Sequence, residues 1–140
     1  MESDYPQGEA HFSPDGRWLA FVSEENGRPE VYVVPFPSLL SKIQISTAGG
    51  SQPRWRRDAK ELFFIAPDGT MMAVTVEAKG ATFKAQAPAT LFRTQITAVA
   101  HAFYQYDVSA DGQKFVINTR TTEQAAPPIT ILTNWEAELK

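Results

Sequence analysis

Few residues in this 140-residue chain pair a reactive type with a spacing that would let it react. There is no cysteine, which removes thiolate catalysis, disulfides and cysteine-based zinc sites. The two histidines, His11 and His101, have no Glu or His at helical ligand spacing, so no metal site is expected. Gly49-Gly50-Ser51-Gln52-Pro53 departs from the G-x-S-x-G elbow of serine hydrolases. Kinase elements are missing too: the chain has no glycine-rich phosphate loop, no His-Arg-Asp and no Asp-Phe-Gly. Glu24-Glu25 reads as a solvated hairpin tip rather than an acid/base pair. The expectation is therefore no catalytic residue and no cofactor. Three other polar side chains, His11, Arg54 and Asp107, recur at one position of a repeat, and their meaning depends on the elements that carry them.

That repeat is clearest at Phe12-Ser13-Pro14-Asp15-Gly16-Arg17-Trp18-Leu19-Ala20-Phe21, which predicts strand, tight turn, strand. Ser13 and Pro14 suit the first two positions of a type I turn and Gly16 the fourth. Aligning on Asp15, Asp58 and Asp111 puts the apolar residues Phe12, Trp55 and Val108 three positions before. Leu19-Ala20-Phe21, Leu62-Phe63-Phe64 and Phe115-Val116-Ile117 follow at four to six positions after. The second unit departs from the pattern, with Asp58-Ala59 where Asp-Gly is expected.

Further strands are predicted at Glu30–Val34, Lys42–Ser46, Met71–Val76, Ala89–Arg93 and 128–133, with a short one at Ala81–Phe83. The first strand of the third unit is expected at Tyr104–Ser109. Trp135–Lys140 allows a short helical turn; no longer helical pattern appears.

Units of roughly 40–50 residues with about four short strands each predict propeller blades. A blade is covered on both faces by its neighbours, which explains strands that are apolar on both sides. The fold expected is all-β, a partial β-propeller of about three antiparallel blades: residues 9–48, 49–95 and an incomplete 96–140. Three blades do not close a ring, so the partners expected are further blades of a parent chain or a second copy.

The Ser-Pro-Asp-Gly-Arg-Trp-Leu-Ala-Phe stretch and the Asp111-Gly112 turn resemble the PD-type, WD-like repeat of TolB-like β-propellers. Glu30–Pro37, Gly49–Trp55, Val108–Gln113 and 129–135 are more narrowly similar to the C-terminal blades of bacterial proteins in which a serine/threonine kinase domain is fused to such a propeller. The resemblance implies that the chain is half of a six-bladed ring and a non-catalytic protein- or ligand-binding, sensory scaffold. Its site would be extracytoplasmic in a membrane-anchored parent and cytoplasmic otherwise. Two alternatives are a propeller segment gating a prolyl-oligopeptidase-type peptidase and a free-standing half-propeller that dimerises.

The repeat also gives His11, Arg54 and Asp107 their two readings. Each directly precedes the apolar residue that ends the first strand, and first strands line a propeller's channel. They either gather there to hold a ligand or peptide, or they bond one blade to the next. Tyr5, Phe103, Tyr104 and Tyr106 are candidates for a contact patch, with Tyr106 assigned to packing. The net charge of −3 argues against nucleic acid, although Arg54-Trp55-Arg56-Arg57 is locally basic. No apolar run approaches the roughly 20 residues of a membrane span.

Overall fold

The computed structural model describes residues 7–96, 103–119 and 129–133. Twelve strands form three antiparallel sheets: β1 (Gln7–Phe12), β2 (Trp18–Ser23), β3 (Glu30–Pro35) and β4 (Ile43–Gln44); β5 (Ser51–Trp55), β6 (Glu61–Ile65), β7 (Thr70–Lys79), β8 (Thr82–Ala85) and β9 (Ala89–Arg93); and β10 (Tyr106–Val108), β11 (Lys114–Asn118) and β12 (Ile129–Thr133). No helix occurs among the described residues. The expected helical turn at 135–140, His101 and Tyr5 lie outside them.

The first and third sheets are meanders ordered by sequence, as are β5 to β8 of the second, and the turns from first to second strand are built on the repeated Asp. In the first turn Gly16 N–H donates to Ser13 C=O at 2.8 Å. The Ser13 hydroxyl donates to Asp15 Oδ1 at 2.6 Å and accepts Trp18 N–H at 3.0 Å. Ser109 and Asp111 repeat the arrangement in the third sheet. In the second sheet Arg56 replaces the serine and grips Asp58 through Nε and Nη2, each at 2.8 Å. Ala59 there adopts φ 60°, close to the 71° of Gly16 and 72° of Gly112, so the turn keeps its shape without glycine. Left-handed backbone costs a residue with a Cβ about 1–2 kcal/mol, and the bidentate Arg56–Asp58 pair helps to offset it.

Period-two alternation places neighbouring residues of one strand in two different cores. In β6, Leu62 and Phe64 pack with Trp18, Ala20, Val22, Val31 and Val33 of the first sheet. Phe63 and Ile65 pack with Tyr106, Phe115 and Ile117 of the third. These four side chains of β6 are buried, each contributing about 1.5–3 kcal/mol. Phe83 of β8 seals the first joint beside the rings of Trp18 and Trp55. Phe115 meets Phe63 and Phe92 edge-on in the second, both at 5.2 Å. A sheet sandwiched in this way between two others is the middle blade of a propeller, and the described residues are all-β with three such sheets.

Two elements differ from the pattern predicted. The strand expected over Lys42–Ser46 pairs only at Ile43–Gln44. Beyond it Ile45 N–H still donates to the Val31 carbonyl at 2.8 Å, but the Val31 N–H donates to the Ser46 hydroxyl at 2.8 Å, and that hydroxyl bonds the buried carboxylate of Glu30, so a side chain takes one of the ladder's bonds. In the second sheet the outer position is shared, because long β7 pairs with β9 over Thr70–Ala73 and with β8 over Val76–Lys79.

Candidate binding site along the first strands

The first strand of every blade carries the recurring polar residues, and the structure brings them together. His11 leaves β1 and accepts the Trp55 N–H on Nδ1 at 3.1 Å, while the Trp55 indole donates to His11 C=O at 3.0 Å. Arg54 leaves β5 and donates through Nε to the Tyr106 carbonyl at 3.0 Å. Asp107, on β10, is the most exposed of the three, and its Oδ1 lies 3.6 Å from Arg54 Nη1. The inter-blade bonds foreseen as one reading of these positions are present. The same side chains also line open space.

That space is two recesses sharing Arg54 and Asp107 as a common wall. One, of about 410 Å³, is lined by Arg54, Tyr104, Gln105, Tyr106, Asp107, Val116 and Asn118. The other, of about 330 Å³, reaches from His11 and Phe12 past Trp55 and Arg57 to Val108–Ala110. The Arg54 guanidinium lies over the Tyr104 ring, 4.2 Å from its centroid, in cation–π contact. Burial, with the positive charge of Arg54 second, holds the His11 imidazole below its ordinary pKa, against a smaller upward pull from Asp107. Burial likewise raises the Tyr104 and Tyr106 phenols. Those hydroxyls donate to the carbonyls of Pro53 and Gln52, at 2.9 and 2.7 Å. Tyr106 is thus a packing residue, as the sequence implied, and Phe103 stands largely exposed.

One row of residues escaped the sequence reading. Two positions before His11, Arg54 and Asp107 stand Glu9, Gln52 and Gln105, again equivalent in the repeat. Glu9 and Gln52 sit at β-bulges with φ 48° and 54°. The Glu9 carboxylate accepts Gln52 N–H at 2.6 Å, and Gln52 Oε1 accepts Gln105 N–H at 2.6 Å. The recurrent Glu/Gln/Gln would have been the signal. Of the basic run, Arg56 is committed to Asp58 and Glu61, so it does not act together with Arg54. Among the described residues no cluster of three His, Asp or Glu is placed to hold a metal.

No protein-family model matches the sequence, and no curated protein matches it. Solved structures do. Oligogalacturonate lyase from Vibrio parahaemolyticus superposes with a TM-score of 0.60 at 14% identity, over 84% of this chain and 31% of its own. TolB from Acinetobacter baumannii gives 0.58 at 22% identity, over 91% of this chain and 30% of its own. An oligogalacturonate lyase in complex with manganese gives 0.58 at 16%, over 81% and 30%. The class is therefore a β-propeller segment. Its fold is TolB-like, and it spans about a third of the length of these neighbours.

Proposed function

We propose that the chain is a non-catalytic propeller segment that binds a protein or small ligand along its first strands. In this reading it serves as the sensory or interaction part of a larger bacterial protein, one in which a kinase domain accompanies further blades. The observation that carries the binding reading is the gathering of His11, Arg54 and Asp107 from three successive blades around two open recesses. The state of the groups nearby supports a role without bond-making. Nδ1 of His11 is occupied by the Trp55 N–H, and the Tyr104 and Tyr106 hydroxyls are spent on backbone carbonyls. The aspartates of the turns are likewise spent on turn bonds. The narrower resemblance of Glu30–Pro37 and Gly49–Trp55 supports the kinase-fused parent.

The test is affinity capture with the intact parent protein, comparing wild type, Asp107→Lys at the shared wall and Lys79→Glu on the exposed end of β7. Binding at the first strands predicts that the same cross-linked partner or retained ligand is lost in the first variant and kept in the second. Equal retention in all three would refute the reading.

A further inference from the structure

We infer that the larger recess is a carboxylate site, taking a carboxylate whose α-carbon bears an N–H donor, as in a free amino acid or the C-terminal residue of a peptide. This rests on the reading of the first strands as a binding face and names the chemistry they select.

The argument starts from Arg54. Its side chain is 22% exposed, one guanidinium face lies against Tyr104, and Nε is pinned to the Tyr106 carbonyl. Its orientation is therefore fixed before any ligand arrives. The terminal amino groups have no hydrogen-bond acceptor among the described residues. The nearest carboxylate oxygen, on Asp107, stands 3.6 Å away, beyond the 2.7–2.9 Å of a charge-assisted bond. Asp107 is kept back by its own backbone, because the same Oδ1 accepts the Val108 N–H at 2.8 Å. A partly buried arginine whose terminal donors are preoriented and make no hydrogen bond to the described residues fits a planar carboxylate.

The rest of the wall narrows the ligand. Asp107 places a negative charge beside the guanidinium, which opposes a phosphate dianion and favours a monoanion with a donor next to it. An α-ammonium or α-amide N–H supplies that donor. Val116, 40% exposed, provides an apolar wall for a side chain, beside the polar ends of Gln105 and Asn118.

The experiment is a titration of the ¹⁵N-labelled protein with L-leucine, N-acetyl-L-leucine, the methyl ester of N-acetyl-L-leucine and inorganic phosphate. The expected result is saturable shifts of the Tyr104–Asp107 amides with the two acids and none with the ester. A preference for leucine identifies the free amino acid as the source, and a preference for the acetylated form identifies a peptide C-terminus. Arg54→Lys, with its fold checked by circular dichroism, should weaken the acids by about tenfold or more, because it keeps the charge and loses the fork. Asp107→Asn removes the charge that selects the free amine, so it should lower any preference for leucine over N-acetyl-L-leucine. Shifts by the ester equal to those by the acid, tighter binding of phosphate, or no shift with either acid would overturn the carboxylate site. A carboxylate-free ligand captured on the same strands would overturn it while leaving the broader binding reading intact.

Discussion

The carboxylate of Glu9 accepts the backbone N–H of Gln52, its counterpart one blade on, at 2.6 Å. Gln52 does the same for Gln105, and its Nε2 donates back to Gln105 Oε1 at 3.0 Å. Gln52 is therefore receiver and giver at once, at 2% exposure where water does not replace a lost partner.

Gln52→Ala strips both bonds to Gln105 and leaves a half-buried N–H without its acceptor. The expected loss is about 1–3 kcal/mol. Urea unfolding measures it, and hydrogen exchange at the Gln105 amide should quicken more than at amides of β2. An unchanged midpoint would show that the relay contributes nothing.

At the position after the repeated Asp the three turns differ by one methyl group, and substitutions there should differ in sign. A Cβ added at Gly112 would lie 2.5 Å from Arg56 Cδ, at φ +72°, so Gly112→Ala should destabilise by more than the roughly 1 kcal/mol of left-handed strain. Ala59→Gly relieves that strain and gives back chain entropy of about 0.5–1 kcal/mol. The net expectation is a change between zero and about 1 kcal/mol in the stabilising direction. Paired thermal melts decide it; a clear loss in Ala59→Gly would mean that its methyl group's packing outweighs the strain.

These turns also show how much the sequence revealed. Asp15, Asp58 and Asp111 set the blade register, and the apolar triplets after them located β2, β6 and β11, because a turn and a two-sided core leave local marks. The Arg54 recess was legible only as a recurring position. Its stacking on Tyr104 and the Gln52–Gln105 pairing join residues about fifty positions apart, and neither has a local signature. The bulges at Glu9 and Gln52 were hidden because non-glycine residues hold the left-handed backbone. The outer ladder ended early because the Ser46 hydroxyl, held by Glu30 from sixteen positions away, took the Val31 N–H.

Acid should act in two stages. The folded state holds His11 below its ordinary pKa of 6.5, so the unfolded chain binds the extra proton first. The contribution of neutral His11 is complete above pH 6.5 and is lost as pH falls below it. His11→Asn keeps an acceptor for Trp55 N–H but does not titrate, so its stability should stay flat through that range. A wild-type curve that is equally flat would contradict the assignment.

The second stage belongs to the turns. Asp15 and Asp111 are held below the ordinary aspartate pKa first by the hydroxyls of Ser13 and Ser109, Asp58 first by Arg56, and Asp68 first by Thr70. Depressed carboxylates stabilise above the ordinary value of 3.8, and the contribution is lost as pH falls below it. Ser13→Ala should soften this acid limb and also leave the buried Trp18 N–H without its acceptor, at about 1–2 kcal/mol near neutrality. Ser109→Ala, at a more open turn, should soften the limb with a smaller neutral loss. Equilibrium unfolding across pH separates the two effects.

In the Glu9–Gln52–Gln105 relay, the receiving group at every joint is a backbone amide, which all residues except proline possess. For this one bond a blade therefore needs a suitable side chain to hold its successor, and the successor needs only its backbone. A copy of such a blade, made by duplication of its coding segment, would arrive already able to dock, and its own sequence would be free to diverge afterwards. That asymmetry gives repeats this different, with serine exchanged for arginine and glycine for alanine, a physical route to remain in one continuous stack.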